Sequence, residues 1–534
     1  MNNSHAVVTS LYCIFTMPAE TKKEIQAQAP TPKLRLLFIL SVCWGASIFW
    51  LAPHPPMIDL PQHAGQVSLL KDLLLGQSPW TEQVRIHLLT PYLIGYGLAL
   101  PLSFFMPVAA ALKVVLSLAY IAFVFMCVTL RRHFQCDARL DWLFLLSFFG
   151  FAYIWGFYTF LVAAPIGLAF ILFSDRFADH QTFARALGLV IAGLILLMSH
   201  GLVFIFAWCV GLGFVIARMP KFQPFLTGII PFAILATACA GLILIFNHAF
   251  VNSSVSIQPT IMGWGLSRFP KALIFIVGDQ SWKSSLIFAP AVITLVCAPW
   301  MLGLAIDFRN SPSWMTFMIV VLVLVYVPSS LFGSGSSLYH RFALFLPPAY
   351  AWMFTIRRRP NDKTLMGSSL GASIALPLLV ATCWFALGIN TVRALQFGYE
   401  SADFDTALSA VEPNQRALAL VFDKDSKADN NEVIYLHFPL WYQADKHGLV
   451  DFNFAWFPQL IVLFRPEKVP AIDPEVSLNP ETFDWLKNRG GDYRYFFVRD
   501  STGMSANLFH GADCPPVTLV TKGSWTVFER RACP

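Results

Sequence analysis

The chain has 534 residues, of which 56% are hydrophobic and only 13% are charged, and its mean hydropathy is +0.59. Soluble globular proteins carry about 25% charged residues, so this composition excludes an ordinary soluble enzyme. Residues 401–534 hold 31 of the 68 charged residues and a net charge of −5, whereas the first 400 residues carry +11. A membrane domain with basic loops explains this excess better than nucleic-acid binding does, and no nucleic-acid partner is expected.

Long apolar runs predict membrane-spanning helices, because about 20 apolar residues are needed to cross a bilayer. The chain is therefore expected to be a polytopic α-helical membrane protein with about eleven spans. The predicted spans cover residues 35–52, 108–130, 141–155, 157–173, 184–200, 201–218, 224–246, 286–305, 313–328, 341–356 and 366–390.

Basic residues between the spans predict the orientation, because positive residues stay on the cytoplasmic side of a membrane. With eleven spans these residues all fall on one side, which places the N-terminus in the cytoplasm and the C-terminus outside. The expected location is a bacterial inner membrane. Residues 86–106 are apolar enough to span, but a span there would put Arg131 and Arg132 outside, so we interpret them as interfacial or re-entrant. The basic residues are Lys22, Lys23, Lys33, Arg35, Arg131, Arg132, Arg176, Arg185, Arg218, Lys221, Arg309 and Arg357–Arg359.

The sequence divides into three regions. Residues 1–34 are polar and are expected to form a disordered cytoplasmic segment, and residues 35–390 form the membrane domain with long outer loops at 53–107 and 247–285. Residues 391–534 are expected to form a small periplasmic α/β domain. Its predicted elements are strands at Ala417–Phe422, Glu432–Leu436, Tyr493–Arg499, Val517–Thr521 and Trp525–Arg530 and a helix at Pro480–Asn488.

The last two predicted strands form a hairpin that turns at Gly523 and Ser524. In that register Cys514 faces Cys533 across the mouth of the hairpin, at a separation that a disulfide can bridge. An oxidising outer compartment agrees with this pairing. The other eight cysteines show no C-x-x-C spacing and are expected to pack as small hydrophobic residues.

The first outer loop contains an acidic residue at the start of a predicted helix. Asp59 precedes apolar positions at helical spacing, which predict an amphipathic helix lying along the membrane surface. Two interpretations of Asp59 remain open: it caps the helix in a capping box with Gln62, or it is a general base at the membrane surface. His63 lies one turn later on the same side, as a packing residue or as a second catalytic group. The apolar positions are Leu60, Ala64, Val67, Leu70 and Leu74.

The arrangement of this loop resembles the GT-C superfamily of polyprenyl-phosphate-sugar-dependent glycosyltransferases. An aspartate follows the first span, and the segment Thr90–Leu93 precedes a helix that ends in Arg131 and Arg132. A similar segment occurs in protein O-mannosyltransferases and lipid A aminoarabinose transferases, where an arginine opens the next helix; here Lys113 takes that place. The resemblance implies that Asp59 is the catalytic base. It also implies a polyprenyl-phosphate-sugar donor and a glycan, lipid or protein acceptor.

Cationic groups near the outer face are candidates for binding the phosphate of such a donor. Arg341 follows a Gly/Ser stretch whose backbone N–H groups could approach a phosphate; the alternative is a snorkelling interfacial arginine. Further candidates are Lys113, Arg268 and Lys271. Tyr339 and His340 either join Arg341 or belong to an aromatic belt, and His200 either contacts substrate or caps a helical hairpin at the outer surface.

Three other functions stay open. A flippase or transporter of lipid-linked glycans would be expected to show repeats and broken helices with polar residues at mid-membrane, which the sequence lacks. A polysaccharide polymerase or ligase would use lipid-pyrophosphate donors and more basic residues than the loop 247–285 contains. A non-catalytic envelope-polysaccharide assembly protein would use Asp59 as a cap only. No cofactor is indicated, although the spacing of Asp59 and His63 is compatible with a divalent metal.

Overall fold

The computed structural model describes residues 31–218, 222–250, 265–266, 268–277, 282–308, 310–330, 337–356, 369–428, 433–470, 474–501, 503 and 508–531. The described residues form an α-helical bundle followed by a domain with a five-stranded sheet. Within the described residues five helices are long and apolar enough to cross a membrane, whereas the sequence predicts about eleven spans. These helices are Val108–His133, Tyr158–Asp179, Gly201–Arg218, Phe225–Phe246 and Ser373–Ser409.

The bundle begins with a helix whose start follows from local chemistry. Thr31 accepts a hydrogen bond from the backbone N–H of Leu34, and Pro32 occupies the first helical position, where its missing N–H costs nothing. The first elements are α1 (Pro32–Ile48), α2 (Leu60–Leu74), β1 (Val84–Ile86), α3 (Leu93–Ser103), α4 (Val108–His133), a 3₁₀ helix at Ala138–Leu143, α5 (Phe144–Ser147), α6 (Phe151–Ile154), α7 (Tyr158–Asp179), α8 (Phe183–Leu197), α9 (Gly201–Arg218) and α10 (Phe222–Phe250).

The rest of the chain completes the bundle and forms the C-terminal domain, by which we mean residues 410–531. The bundle continues with α11 (Arg268–Val277), α12 (Trp282–Met301), β2 (Leu304–Ile306), α13 (Ser311–Tyr326), a 3₁₀ helix at Tyr339–Phe345, α14 (Leu346–Ala351), β3 (Phe354–Ile356) and α15 (Ser369–Ser409). The main elements of the domain are β4 (Arg416–Val421), a 3₁₀ helix at Phe438–Leu440, α16 (Trp441–Lys446), β5 (Leu449–Val450), β6 (Val462–Phe464), α17 (Pro474–Leu478), β7 (Tyr495–Arg499), β8 (Val517–Lys522) and β9 (Trp525–Glu529).

The two ends of the bundle differ in chemistry. At one end, which we call the basic end, Arg131 forms a bidentate ion pair with Asp141. Asp175 at the same end binds both His133, at 2.6 Å, and Arg218, at 2.9 Å. The other end, which we call the domain end, contacts the C-terminal domain. The basic residues that the sequence predicts on one side thus gather at one end where the structure describes them.

Two of the predicted spans are not continuous helices. Residues 141–155 divide into a 3₁₀ helix and the short helices α5 and α6, and residues 341–356 divide into a 3₁₀ helix, α14 and β3. Both segments are largely buried in the bundle, and irregular backbone is tolerated at membrane depth where protein surrounds it. The count of eleven spans stays a prediction.

The sequence predicts that the amphipathic helix α2 lies along a membrane surface, but in the structure this helix is buried. Residues Leu60–Leu70 and Asp72 are buried because the C-terminal domain covers the polar face of the helix. Gln66 pairs with the backbone of Val462, donating to its carbonyl at 3.1 Å and accepting from its N–H at 2.9 Å. The side chain of Gln66 therefore binds protein instead of water.

The apolar segment 86–106 contains one helix that is too short to cross a bilayer. Helix α3 has 11 residues, about 16 Å, which is roughly half of a hydrocarbon core of ~30 Å. The strand β1 before it pairs with β6 of the C-terminal domain, from Val84 opposite Phe464 to Ile86 opposite Val462. Both features agree with an interfacial segment.

The C-terminal domain contains a mixed sheet with strand order β5-β4-β7-β9-β8. Strand β4 is parallel to β5 and β7, and the other pairs are antiparallel. The predicted strands at both edges of the turn at Gly523 are confirmed, and Gly523 adopts a φ of 54°. The predicted domain boundary at residue 390 falls inside the continuous helix α15.

Two elements predicted in this domain are wrong. The described part of Glu432–Leu436 is a turn, in which the N–H of Leu436 donates to the carbonyl of Val433 at 3.1 Å. The predicted helix Pro480–Asn488 is a single 3₁₀ turn at Pro480–Thr482. Beyond that turn, the side chains of Asp484 and Asn488 accept hydrogen bonds from the backbone N–H groups of Lys487 and Asp484.

The predicted disulfide involves a residue outside the described range. Cys514 is disulfide-bonded, and Cys533 lies outside the described residues, so its pairing stays a prediction. A bulge between Thr518 and Val520 shifts the hairpin register by one residue towards its mouth. Seven other described cysteines are free; Cys127, Cys136 and Cys383 are buried as predicted, whereas Cys43 and Cys209 are exposed.

Candidate functional site

Asp59 occupies the N-cap position of α2 but does not cap the helix. Its backbone lies in the helical region, with φ −92° and ψ −4°, and its side chain makes no capping hydrogen bond. Cap residues normally adopt extended backbone angles and accept from the second or third helical N–H, and here Pro61 supplies no N–H at the second position. The capping explanation of Asp59 is therefore wrong, and its carboxylate faces other groups.

A tight turn of the broken segment 138–157 fixes the backbone of Asp59. The N–H of Ile58 donates to the carbonyl of Ile154 at 3.1 Å, and the N–H of Asp59 donates to that of Trp155 at 3.0 Å. Gly156 follows with a φ of 73°, and a Cβ there would lie 2.7 Å from the Asp59 nitrogen. Only glycine allows this approach.

We expect Gly156→Ala to destabilise the protein more than Gly76→Ala does. Both glycines have positive φ, so each alanine incurs a backbone cost of about 1–2 kcal/mol. Gly76 faces open space, whereas Gly156 abuts the backbone of Asp59 and adds an overpacking cost of about 1–3 kcal/mol. Thermal unfolding of both variants in detergent measures the difference, and equal melting temperatures would contradict the contact.

The carboxylate of Asp59 is largely buried but reachable, since 14% of its side chain is exposed. Burial raises its pKa from 3.8 to about 7, and the positive charge of Arg341 opposes this rise. Its Oδ1 lies 3.5 Å from Nε2 of His437, which belongs to the C-terminal domain. A carboxylate with a pKa near 7 is suited to accept a proton at neutral pH.

The charge of Arg341 lies at the centre of the site. Its guanidinium stacks on the ring of Phe157, with Cζ 3.5 Å from the ring centroid. It interacts electrostatically with Asp59, His63, Tyr92 and His200. The turn at Trp155–Phe157 therefore contacts both Asp59, through its backbone, and Arg341, through the Phe157 ring. The Gly/Ser stretch before Arg341 lies outside the described residues, except Ser337.

The two histidines predicted near the site are buried at its wall. His63 binds the hydroxyl of Tyr96 through Nδ1 at 2.7 Å, and burial lowers its pKa to about 3, so the ring is neutral. Nδ1 of His200 accepts from the N–H of Leu202 at 3.2 Å, which caps α9 as one of its two interpretations predicts. Its ring also packs on Tyr92 at 5.0 Å. A substrate contact of either histidine stays a prediction.

The other predicted cations occupy different surroundings. Lys113 donates to the carbonyl of Ala52 at 2.6 Å. Arg268 donates to the carbonyl of Val327 at 2.6 Å and stacks on Tyr339, with 3.9 Å between Cζ and the ring centroid. Since their N–H groups bind carbonyls, both residues stabilise local structure, and their phosphate roles stay predictions.

The remaining predicted residues form a layer beside Arg341. The ring of His340 lies between Phe151, at 4.6 Å, and Tyr339, at 3.7 Å. Both Arg268 and Lys271 interact with it electrostatically, and Lys271 is exposed. The structure thus brings Arg341, His340 and Tyr339 together, with Arg268 and Lys271 behind them.

Sequence reasoning missed His437. It lies between a segment predicted as a strand and an aromatic run, and a lone histidine in such a place gives no signal of function. The structure places it against α2, 378 positions after Asp59. Within the described residues no group of three or more His, Cys, Asp or Glu side chains could hold a metal ion, so the compatibility of Asp59 and His63 with a metal gains no third ligand.

No family model and no curated protein matches the sequence. Two matching solved structures are those of the arabinofuranosyltransferase AftD from Mycobacteria, at 15% identity over 93% of this chain and 40% of that chain, with a TM-score of 0.47, and of a mutant form of AftD, at 12% identity over 93% and 41%, with a TM-score of 0.49. The chain spans about 40% of the length of the structures it matches. Both matches are to a protein named as a glycosyltransferase.

Proposed function

We propose that the chain is a membrane glycosyltransferase of the GT-C type, which moves a sugar from a polyprenyl-phosphate donor to an acceptor hydroxyl. The observation that carries this proposal is the electrostatic interaction between Asp59 and Arg341 at the domain end of the bundle. A carboxylate that can accept a proton at neutral pH lies within the electrostatic influence of a half-buried cation. Proton removal and leaving-group stabilisation are the two requirements of the reaction.

In the proposed step, the acceptor O–H bond breaks and its proton passes to Asp59. The acceptor oxygen forms a bond to the anomeric carbon, and the bond from that carbon to the phosphate oxygen breaks. The polyprenyl phosphate leaves with the electron pair, so its negative charge increases beside Arg341. The guanidinium can stabilise this charge with two parallel hydrogen bonds, as arginine commonly does with phosphate.

The proposed topology follows from the charge distribution. The basic end lies in the cytoplasm, and the domain end with Asp59 faces the periplasm of a bacterial inner membrane. The polyprenyl chain would lie against the apolar exterior of the bundle, and the acceptor glycan, lipid or protein would enter from the periplasmic side. This arrangement supplies both substrates to Asp59 without moving a sugar across the bilayer.

The test uses purified protein in liposomes with a panel of decaprenyl-phosphate-linked monosaccharides, each labelled in the sugar. The expected result is release of decaprenyl phosphate as the sugar passes to an acceptor in a host membrane extract or, more slowly, to water. Fluorescent lipid-linked sugars in the same liposomes report transbilayer movement. Movement without cleavage would replace the proposal with a flippase, and neither cleavage nor movement would indicate a non-catalytic assembly protein.

A further inference from the structure

The C-terminal domain contributes one side chain to the site of Asp59. His437 precedes the 3₁₀ helix at Phe438–Leu440, and its ring is buried against α2. Nδ1 lies 3.2 Å from Nε2 of Gln62, and Nε2 lies 3.5 Å from Oδ1 of Asp59. The imidazole thus bridges two residues that are three positions apart on the same helix.

The contact with Gln62 decides which nitrogen of His437 carries the proton. Burial lowers the pKa of His437 to about 3, so the ring is neutral and holds one proton. With the amide nitrogen of Gln62 assigned to the side facing the ring, Nδ1 accepts from it and the proton is on Nε2. The N–H of Nε2 therefore faces the carboxylate of Asp59.

The core of the C-terminal domain determines where His437 lies. The adjacent Phe438 packs against Phe404 at 5.1 Å and against Trp525 at 6.3 Å. On its other side the imidazole contacts Phe452 and Phe454. These aromatic contacts pack the segment around His437 and help to keep its ring beside Asp59.

We propose that His437 is a positioning residue for Asp59, whose Nε2–H donates to the carboxylate and holds it ionised and oriented towards the acceptor. The C-terminal domain then completes the catalytic site and is not merely a cover. This inference rests on the proposed role of Asp59 as the base. A distance of 3.5 Å is long for a hydrogen bond, and such contacts in unliganded enzymes commonly shorten when substrate binds.

Other groups also act on Asp59 and must be held constant in any test. Arg341 faces it from the 3₁₀ helix at Tyr339–Phe345, and the phenols of Tyr92 and Tyr96 face it from the start of α3. Removing the His437 donor disfavours the ionised carboxylate, so the pKa of Asp59 should rise further. A histidine that only fills space would not change it.

The test compares His437→Phe and His437→Gln, because phenylalanine keeps the ring without a donor and glutamine restores an N–H near Nε2. Each is made with and without Asp59→Asn, and the melting temperature is measured from pH 4 to 9. For each residue at position 437, the melting temperature of the protein with Asp59 minus that of the protein with Asp59→Asn gives the contribution of the Asp59 carboxyl group to stability. Since the folded-state pKa of Asp59 is raised, this contribution is present at low pH and is lost as pH rises to about 7.

In His437→Phe, we expect the loss of the Asp59 contribution to continue to a pH about one unit higher than in wild type. In His437→Gln, we expect the pH range of this loss to return towards that of wild type. An unchanged midpoint in His437→Phe, with a uniform fall in melting temperature, would assign His437 a packing role and overturn the inference. The readout needs no substrate. A shifted midpoint in a protein that cleaves no lipid-linked sugar would therefore contradict the proposed function but not the contact of His437 with Asp59.

Discussion

Asp59→Asn is expected to reduce sugar transfer by about 10²–10⁴-fold, the usual contribution of a general base, while the protein remains folded. Asparagine keeps the size of the side chain and is as good a cap as aspartate, and the structure shows no capping bond to lose. It cannot take the acceptor proton, because an amide is not basic at neutral pH. Release of decaprenyl phosphate in the liposome assay measures the loss.

Asp72→Asn is the matched control, since Asp72 is a second buried carboxylate on the same helix. It binds Nδ1 of His447 at 2.7 Å and lies between three and four helical turns after Asp59. We expect this variant to keep sugar transfer within a few-fold of wild type, with a lower melting temperature. Equal losses in both variants would indicate damage to α2 and would remove the special role of Asp59. Full transfer by Asp59→Asn would do so directly.

Arg341→Ala is expected to weaken binding of polyprenyl phosphate by about 2–4 kcal/mol, or roughly 30- to 1000-fold in Kd. The guanidinium acts electrostatically on Asp59 and is stacked on the ring of Phe157. Binding of decaprenyl phosphate to the purified protein in detergent, measured by calorimetry, gives the change. Arg341→Lys should recover part of the affinity, because it restores the charge but not the bidentate geometry.

Arg494→Ala removes the same charge from the C-terminal domain and provides the control. Arg494 forms an ion pair with Glu529 at 2.6 Å and has no contact with the site of Asp59 among the described residues. The Arg494→Ala variant should bind decaprenyl phosphate with the same affinity as wild type. If Arg341→Ala and wild type bound decaprenyl phosphate equally well, the phosphate would have to bind another cation, such as Lys113 or Lys271.

Part of the candidate site could be predicted from the sequence because Asp59 and Arg341 each lie next to a predicted span. Asp59 follows the first span directly, and Arg341 lies at the start of a predicted span, so each is marked by its neighbours. His437 carries no such mark, since it reaches Asp59 only when the C-terminal domain folds onto α2. The same holds for Gly156, whose requirement for glycine arises from the backbone of Asp59, 97 positions earlier.

The sequence by itself determined the membrane class, the change from an apolar bundle to a charged C-terminal domain, and the hairpin at Gly523. These depend on composition and on short-range patterns, which local physical chemistry sets. Only the tertiary structure decided that α2 is buried, that segments 141–155 and 341–356 are broken, and that His437 joins Asp59. Each of these depends on which surface covers another, and Gln62 and His437, which meet at 3.2 Å, are 375 positions apart in the chain.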